Sequence, residues 1–301
     1  MIPKIIWTYW DQSDQVTDWP ISYQTCHASW IQHLVPERGW SINILSHETL
    51  GQYLGPEMIP RRFDELTVKR RSDCVRLALL KKYGGIWLDV GIFLQRDLEW
   101  VIEAGARGKK YVGYYLKAYS DTGDDSVVES WFMASSPNTY TIRKWFRTFK
   151  RVFDEYDETD LRDCTIFKET DVQKIGNRHY LFIHTVYQHL LQTDPVFKER
   201  HERDSLLLCA EDTAFKIHTH FSWNVAFINA YLAMFLVSKR SSQSPPVPLL
   251  FPEQPLFKMT ANDVLLLNFN NLNGEALRTV VKTSGDLLRY LGNRLNIFAL
   301  E

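Results

Sequence analysis

Residues 68–83 form a basic and apolar run of helical period. The Gly84-Gly85 pair cannot extend it, and Ile86-Trp87-Leu88-Asp89 follows, three apolar residues closed by an acid. This succession predicts a helix over 68–83, a stop at the glycines and a short buried strand over 86–88 with Asp89 at its carboxyl end. Ligands of open α/β sheets gather at the carboxyl ends of strands, so the segment constrains both the fold and the place of its chemistry. Residues 4–9 are β-branched and aromatic and open into polar Asp11-Gln12-Ser13-Asp14. Residues 21–34 carry apolar side chains at helical spacing after Pro20, and 40–45 alternate as a second strand. A β-α-β start implies parallel pairing and an α/β class with a mixed, mostly parallel sheet.

Downstream, residues 92–94 resume an apolar run, and strands are expected at 111–116 and 127–134. Helices are expected at 139–156, 180–191 and 274–291, giving a helical C-terminal part. The stretches 120–126 and 241–255 read as loops, the latter rich in Ser and Pro. A length of 301 residues, 45% of them apolar, is enough for one large core. The expected division is one domain over 1–262 with a helical tail over 263–301 packed on it.

A formal net charge of -1 leaves no global field to draw in nucleic acid, so an anionic ligand must be met by a local cluster. The dense basic runs are Arg61-Arg62 and Lys69-Arg70-Arg71. Four cysteines, Cys26, Cys74, Cys164 and Cys209, are widely spaced without a Cys-x-x-Cys pair; this argues against a zinc ribbon or a disulfide framework and suits a reducing, cytoplasmic setting. Ile2-Pro3-Lys4-Ile5-Ile6-Trp7 reads as a core strand and not as a signal peptide. Residues 225–237 are mostly apolar but shorter than the ~20 residues a spanning helix needs, which predicts a buried helix, with peripheral membrane contact as the alternative.

Asp73 and Arg76 lie three apart on the predicted helix and share a face that leads, past the glycine turn, toward Asp89. A carboxylate that accepts hydroxyl hydrogens, a guanidinium that holds oxygens and a second acid form an inventory suited to a nucleoside diphosphate sugar. A plain helix salt bridge between Asp73 and Arg76 is the alternative.

The string Arg71-Ser72-Asp73-Cys74-Val75-Arg76, followed by Gly84-Gly85-Ile86-Trp87-Leu88-Asp89, resembles the Ser-Asp-x-x-Arg and Gly-Gly-x-aromatic-x-Asp signature of glycosyltransferases with the DXD sugar-binding motif. More closely, the chain resembles the capsular polysaccharide synthesis protein family. The added similarity lies in Glu129-Ser130-Trp131-Phe132-Met133-Ala134, His179-Tyr180-Leu181-Phe182-Ile183-His184 and Pro255-Leu256-Phe257-Lys258-Met259-Thr260. The resemblance covers roughly residues 1–262 and implies a GT-A-like nucleotide-sugar-binding fold, a sugar transfer serving polysaccharide biosynthesis, a nucleotide-sugar donor (UDP-sugar favoured) and a carbohydrate acceptor.

Carried over residue by residue, the resemblance has Asp73 and Arg76 touch the donor, Trp87 line the sugar pocket and Asp89 act as the first acid of the motif. An aromatic at the end of the first strand stacks on the base; Trp10 is the choice, then Trp7, with Tyr9 beside them, and a core role is the alternative for either tryptophan. One departure stands out. Asp89-Val90-Gly91 puts glycine where the second acid belongs, so the implied Mn²⁺ or Mg²⁺ has a single protein carboxylate, with donor phosphates and water left to complete it. His220 is a candidate late metal ligand, and an ordinary hydrogen-bonded histidine is its alternative. Lys258, in a Pro-flanked loop, and Arg70 are candidates for neutralising the leaving diphosphate. Glu129, with Asp124 and Asp125 behind it, is the candidate base for the acceptor hydroxyl in an inverting transfer. A degenerate module that binds a nucleotide sugar or glycan without chemistry, and a hydrolase with paired carboxylates, stay open as alternatives.

Overall fold

Two glycines decide how the central strand enters its sheet. In the computed structural model, Gly84 and Gly85 have φ of +67° and +96°, a region that L side chains rarely adopt. A Cβ at Gly85 would lie 2.5 Å from the Ile5 carbonyl oxygen, and one at Gly84 2.6 Å from the Pro137 nitrogen. Backbone therefore packs against backbone where the helix hands over to the strand. The structure describes residues 1–120, 126–172, 174–240, 250–260 and 263.

The strands are β1 (Ile5–Tyr9), β2 (Ser41–Leu45), β3 (Gly85–Leu88), β4 (Ile92–Leu94), β5 (Tyr111–Leu116), β6 (Val127–Ser135), β7 (Ser205–Cys209) and β8 (Leu256–Lys258). The helices are α1 (Ile21–His33), α2 (Val68–Tyr83), α3 (Glu99–Ala106), α4 (Tyr140–Glu155), α5 (Thr165–Glu169), α6 (Phe182–Thr193), α7 (Pro195–Asp204), α8 (Lys216–His220) and α9 (Val225–Arg240).

The chain divides into two compact units. Unit 1 holds residues 1–16, 34–90 and 97–210; unit 2 holds 17–33, 91–96 and 211–301. Residues 17–33 and 91–96 thus cluster with the later chain; the sequence expectation is a domain over 1–262 with a tail over 263–301. Apart from residue 263, the tail lies outside the described residues, as do the expected helix at 274–291, residues 241–249 of the expected loop, and Asp124 and Asp125.

Unit 1 is built on a six-stranded sheet of order β2-β1-β3-β6-β5-β7. β1 pairs in parallel with β2 and β3, and β5 with β7, while β6 runs antiparallel to both β3 and β5. The mixed, mostly parallel α/β sheet expected from the sequence is present. β3 and β6 are buried along their whole length, which is why they read as near-continuous apolar runs.

α2 starts at the Thr67 cap, whose hydroxyl accepts from the Arg70 N–H, and ends where the Gly84 N–H donates to the Leu80 carbonyl. α4 buries Ile142, Trp145, Phe146, Phe149, Val152 and Phe153, a stripe at 3.6-residue spacing that joins the core formed with α2 and α6. β5 and β6 change register between the Gly113–Met133 and Tyr115–Val128 pairs, so β6 carries extra residues across Glu129–Phe132. Such bulges re-aim side chains, and this one lies at the candidate base.

In unit 2, β4 pairs antiparallel with β8. The Trp30 indole of α1 donates to the Ile92 carbonyl at 2.7 Å, and the Leu94 N–H donates to the Ser29 hydroxyl at 2.9 Å. α9 buries Ile228, Tyr231, Leu232 and Phe235 in a cluster with Phe93, Phe257 and Met259, as its apolar composition predicts. Among the described residues, no helix is long and apolar enough to cross a membrane.

Candidate functional site

The first turns of α2 supply the charges. Asp73 is 1% exposed and faces three cations: its Oδ2 lies 3.1 Å from Arg70 Nη1 and 3.4 Å from Lys69 Nζ, and its Oδ1 lies 3.3 Å from Arg76 Nη2. Burial by itself raises the pKa of this carboxyl, but Lys69, Arg76 and Arg70 outweigh it, and Asp73 sits below the ordinary carboxylate range. For Lys69, burial is the larger influence and pushes the ammonium below its usual value against the pull of Asp73.

Arg76 links this cluster to the end of β3. Its Nη1 donates to the Ser130 carbonyl at 2.6 Å and to the Ser130 hydroxyl at 3.0 Å, and lies 3.4 Å from Asp89 Oδ1. Its guanidinium stands 4.9 Å over the Trp87 ring, and the Trp87 indole N–H donates to Asp89 Oδ1 at 2.9 Å. The backbone N–H of Asp89 donates to the Trp131 carbonyl at 2.9 Å, which fixes the turn after the strand. The Asp89 side chain keeps 27% exposure above these buried groups. From the bulge of β6, buried Glu129 places Oε2 3.4 Å from Nε2 of buried His184 on α6, and His184 Nδ1 has no hydrogen-bond partner.

The structure thus brings Asp73, Arg76, Trp87 and Asp89 into one connected network, with Glu129 and His184 beside it. Asp73 and Arg76 are buried and engaged with each other and with protein groups beneath Asp89. Trp87 is 1% exposed, with its indole N–H on Asp89. Arg70 is also 1% exposed: it lies within 5.2–6.0 Å of the Phe149, Phe153 and Phe182 rings, its Nη2 donates to the His179 carbonyl, and its Nε is 3.5 Å from Glu158. Those partners hold it beside Asp73.

Trp7 is a core residue, with its indole N–H on the Gly84 carbonyl at 2.8 Å and its ring against Tyr53 and Tyr83. Tyr9 is buried; its hydroxyl donates to Asp11, which also pairs with Arg71. Burial, then Asp11, pushes the Tyr9 phenol well above its ordinary value. Trp10 is half-buried just beyond β1, with its backbone N–H on the Leu45 carbonyl.

Lys258 closes β8 and is not in a loop, because Ile92 pairs with it across the small sheet. His218 and His220 lie on short helix α8, not in a loop. His218 is buried with Nε2 2.9 Å from Asp263, and the His220 ring packs on Phe221 and Phe251. Lys69, Tyr180 and His184 escaped the sequence reading as site members. Tyr180 and His184 stand in the quoted His179–His184 block, but nothing local says that they face α2 and β6.

The residues present do not by themselves compose the implied divalent-metal site. Asp89 has one oxygen already accepting an indole N–H, and no group of three or more His, Cys, Asp or Glu among the described residues is arranged to hold a metal ion. Position 91 offers no replacement: a Cβ there would lie 3.0 Å from the Met259 carbonyl oxygen and 3.2 Å from Lys258 Nζ, so its nearest polar neighbours include an ammonium.

The chain is 26% identical over 166 residues to the O-glycosyltransferase braB of Annulohypoxylon truncatum, covering 50% of this chain and 38% of that protein. It is 28% identical over 162 residues to the glycosyltransferase afumC of Aspergillus fumigatus, covering 50% and 40%. It is 26% identical over 170 residues to the O-glycosyltransferase PaGT of Phomopsis amygdali, covering 52% and 40%. The chain therefore spans 38–40% of the length of these relatives. Among solved structures, the PaToxG glycosyltransferase overlays with a TM-score of 0.36 at 14% identity, over 64% of this chain and 70% of that one, a likeness too low to bear on the site. The model of the family described as capsular polysaccharide synthesis protein matches residues 1–202, two thirds of the sequence, and the chain belongs to that family.

Proposed function

We propose that this chain is a glycosyltransferase that moves a sugar from a nucleoside diphosphate sugar, a UDP-sugar in preference, to a hydroxyl of a glycan or polysaccharide acceptor. The observation that supports this best is the unbroken path from Asp73 through Arg76 to Asp89, with contacts of 3.3 and 3.4 Å, ending in a partly exposed carboxylate at the carboxyl end of β3. The family and the names of the relatives favour transfer to oxygen.

In this reading, the acceptor oxygen attacks the anomeric carbon. The bond from that carbon to the diphosphate oxygen breaks, and its electron pair leaves with the nucleoside diphosphate. In an inverting transfer the acceptor proton passes to Glu129, whose carboxylate is oriented by His184 at 3.4 Å. Asp89 orients donor hydroxyls. Lys69, with 31% of its side chain exposed, is the cation on this network most open to a leaving diphosphate. A divalent ion would come with the donor's own phosphates. We also place the chain in the cytoplasm, where reducing conditions suit its four free cysteines; cell fractionation checks this and any peripheral membrane association.

The test is to incubate the full chain with a panel of nucleotide sugars and glycoside acceptors, in Mn²⁺ and in EDTA, and to follow release of nucleoside diphosphate. Asp89→Ala should abolish release while leaving the unfolding midpoint in place; unchanged release would refute the proposal. The glycine at position 91 favours one second reading, a module that binds the donor without turning it over. Calorimetric donor binding with no product after long incubation would establish that reading instead.

A further inference from the structure

Tyr180 is 53% exposed, yet its backbone and that of His179 are held by cations of α2. Lys69 donates its ammonium to the Tyr180 carbonyl and stands 4.1 Å over the phenol ring. Arg70 Nη2 donates to the neighbouring His179 carbonyl at 2.8 Å, the Tyr180 N–H donates to Asn177 Oδ1 at 2.9 Å, and the His179 ring nitrogen Nε2 lies 2.7 Å from the Glu158 carbonyl. Both cations are anchored on Asp73, the same carboxylate that holds Arg76 toward Asp89. One buried acid therefore sets both the ring of Tyr180 and the carboxylate of Asp89.

A large side chain left half in solvent while its backbone is fixed from below is pre-organised to receive a ligand, because little further order is lost on contact. An aromatic face with a polar tip matches a pyranose, which presents an apolar C–H face rimmed by hydroxyls. We infer that Tyr180 is the aromatic wall on which the sugar ring of a nucleotide-sugar donor rests, an inference that depends on the donor reading above. Burial, then the charges of Asp73, Asp89 and Glu129, raises the phenol above its ordinary value against the opposing pull of Arg76. The hydroxyl therefore stays protonated at neutral pH, and the geometry ties the ring to the network through Lys69, which Asp73 holds.

The experiment measures calorimetric binding of UDP-glucose, UDP-galactose, UDP-N-acetylglucosamine and GDP-mannose, with UDP and GDP alone, to the full chain and to Tyr180→Ala and Tyr180→Phe. For the nucleotide sugar that the unaltered chain binds, Tyr180→Ala should weaken affinity roughly 3- to 10-fold and leave the bare nucleotide unchanged, as loss of one aromatic contact would. Tyr180→Phe should stay within about 2-fold, since the ring is kept. Equal losses for sugar-bearing and bare nucleotide, no loss in Tyr180→Ala, or a phenylalanine variant as weak as alanine would each overturn the inference. If the unaltered chain binds none of these probes, the donor reading fails and this inference fails with it; binding that ignores position 180 defeats the inference alone.

Discussion

Replacing Asp73 by asparagine removes one charge and almost no volume, so the response isolates electrostatics. The carboxylate is 1% exposed and meets Arg70, Arg76 and Lys69 at 3.1, 3.3 and 3.4 Å. Without it, two guanidiniums whose side chains are 1% and 6% exposed lose their nearest counter-charge. Breaking a buried pair from one side destabilises by about 3–5 kcal/mol, most of it from stranding the partner. Lys69, at 31% side-chain exposure, adds little, because solvent screens it. For a chain of this size, that loss corresponds to a fall in Tm of about 5–8 °C.

The sign with pH follows from the depressed pKa of Asp73. Its ionised form contributes stability above the unfolded carboxyl value of about 4, and the contribution disappears as pH falls through the lower folded value. The gap between the parent chain and Asp73→Asn should therefore stay flat from about pH 8 to pH 5 and close only in stronger acid. Urea unfolding of both proteins across that range is the assay. A gap under about 1 kcal/mol at pH 7, or one that narrows already between pH 7 and 5, would refute the claim that this carboxylate holds the three cations in place.

Asp89→Asn should leave the unfolding midpoint within a degree or two while lowering donor turnover by roughly 10²–10³, the scale for losing one well-placed electrostatic group; diphosphate release and calorimetry on the same preparations check both halves. Glu129→Gln should lower transfer by roughly 10²–10⁴ while donor affinity is kept, if Glu129 is the base; a loss of donor affinity of the same size would count against that role. Gly85→Ala should destabilise by about 2–4 kcal/mol, because its φ of +96° disfavours a side chain and its Cβ would lie 2.5 Å from the Ile5 carbonyl oxygen; equilibrium unfolding measures it.

Much of unit 1 was legible because its local signals and tertiary demands coincide. β1, β2, β3, α2, α4, β5 and β6 fall where period, caps and glycines place them, and all but β2, which buries only Leu45, contribute several side chains to the buried interior. α7 and β7 were missed for a physical reason. Pro195–Asp204 is dominated by charges and buries few of its side chains, and Ser205–Cys209 is an edge strand, only half-buried, whose three leucines carry no alternation. α6 begins at Phe182 and not at Tyr180, because Asn177 captures the Tyr180 N–H in a turn. In the site, the spacing of Asp73, Arg76 and Asp89 could be read from the helix and the glycine stop. The roles of Arg70, Lys69 and Tyr180 could not, because they depend on carbonyls about 110 residues away that no local pattern connects to α2.

The charged and aromatic network around Asp89 is mostly internal. Among Arg70, Asp73, Arg76, Trp87 and Asp89, only Asp89 keeps substantial exposure, and the rest form a charged and aromatic scaffold whose hydrogen bonds reach Ser130 on β6 and His179 before α6. Charges held this way cannot reorient when a ligand arrives, which is the condition for an electrostatic site to act without reorganising. The division has a consequence for mutants. Substitutions at 70, 73 and 76 should act first on stability and through it on activity, whereas those at 89 and 180 should act on ligand handling with the fold intact. If the two groups behaved alike in unfolding and binding assays, the separation of buried scaffold from exposed chemistry would be the wrong description of this site.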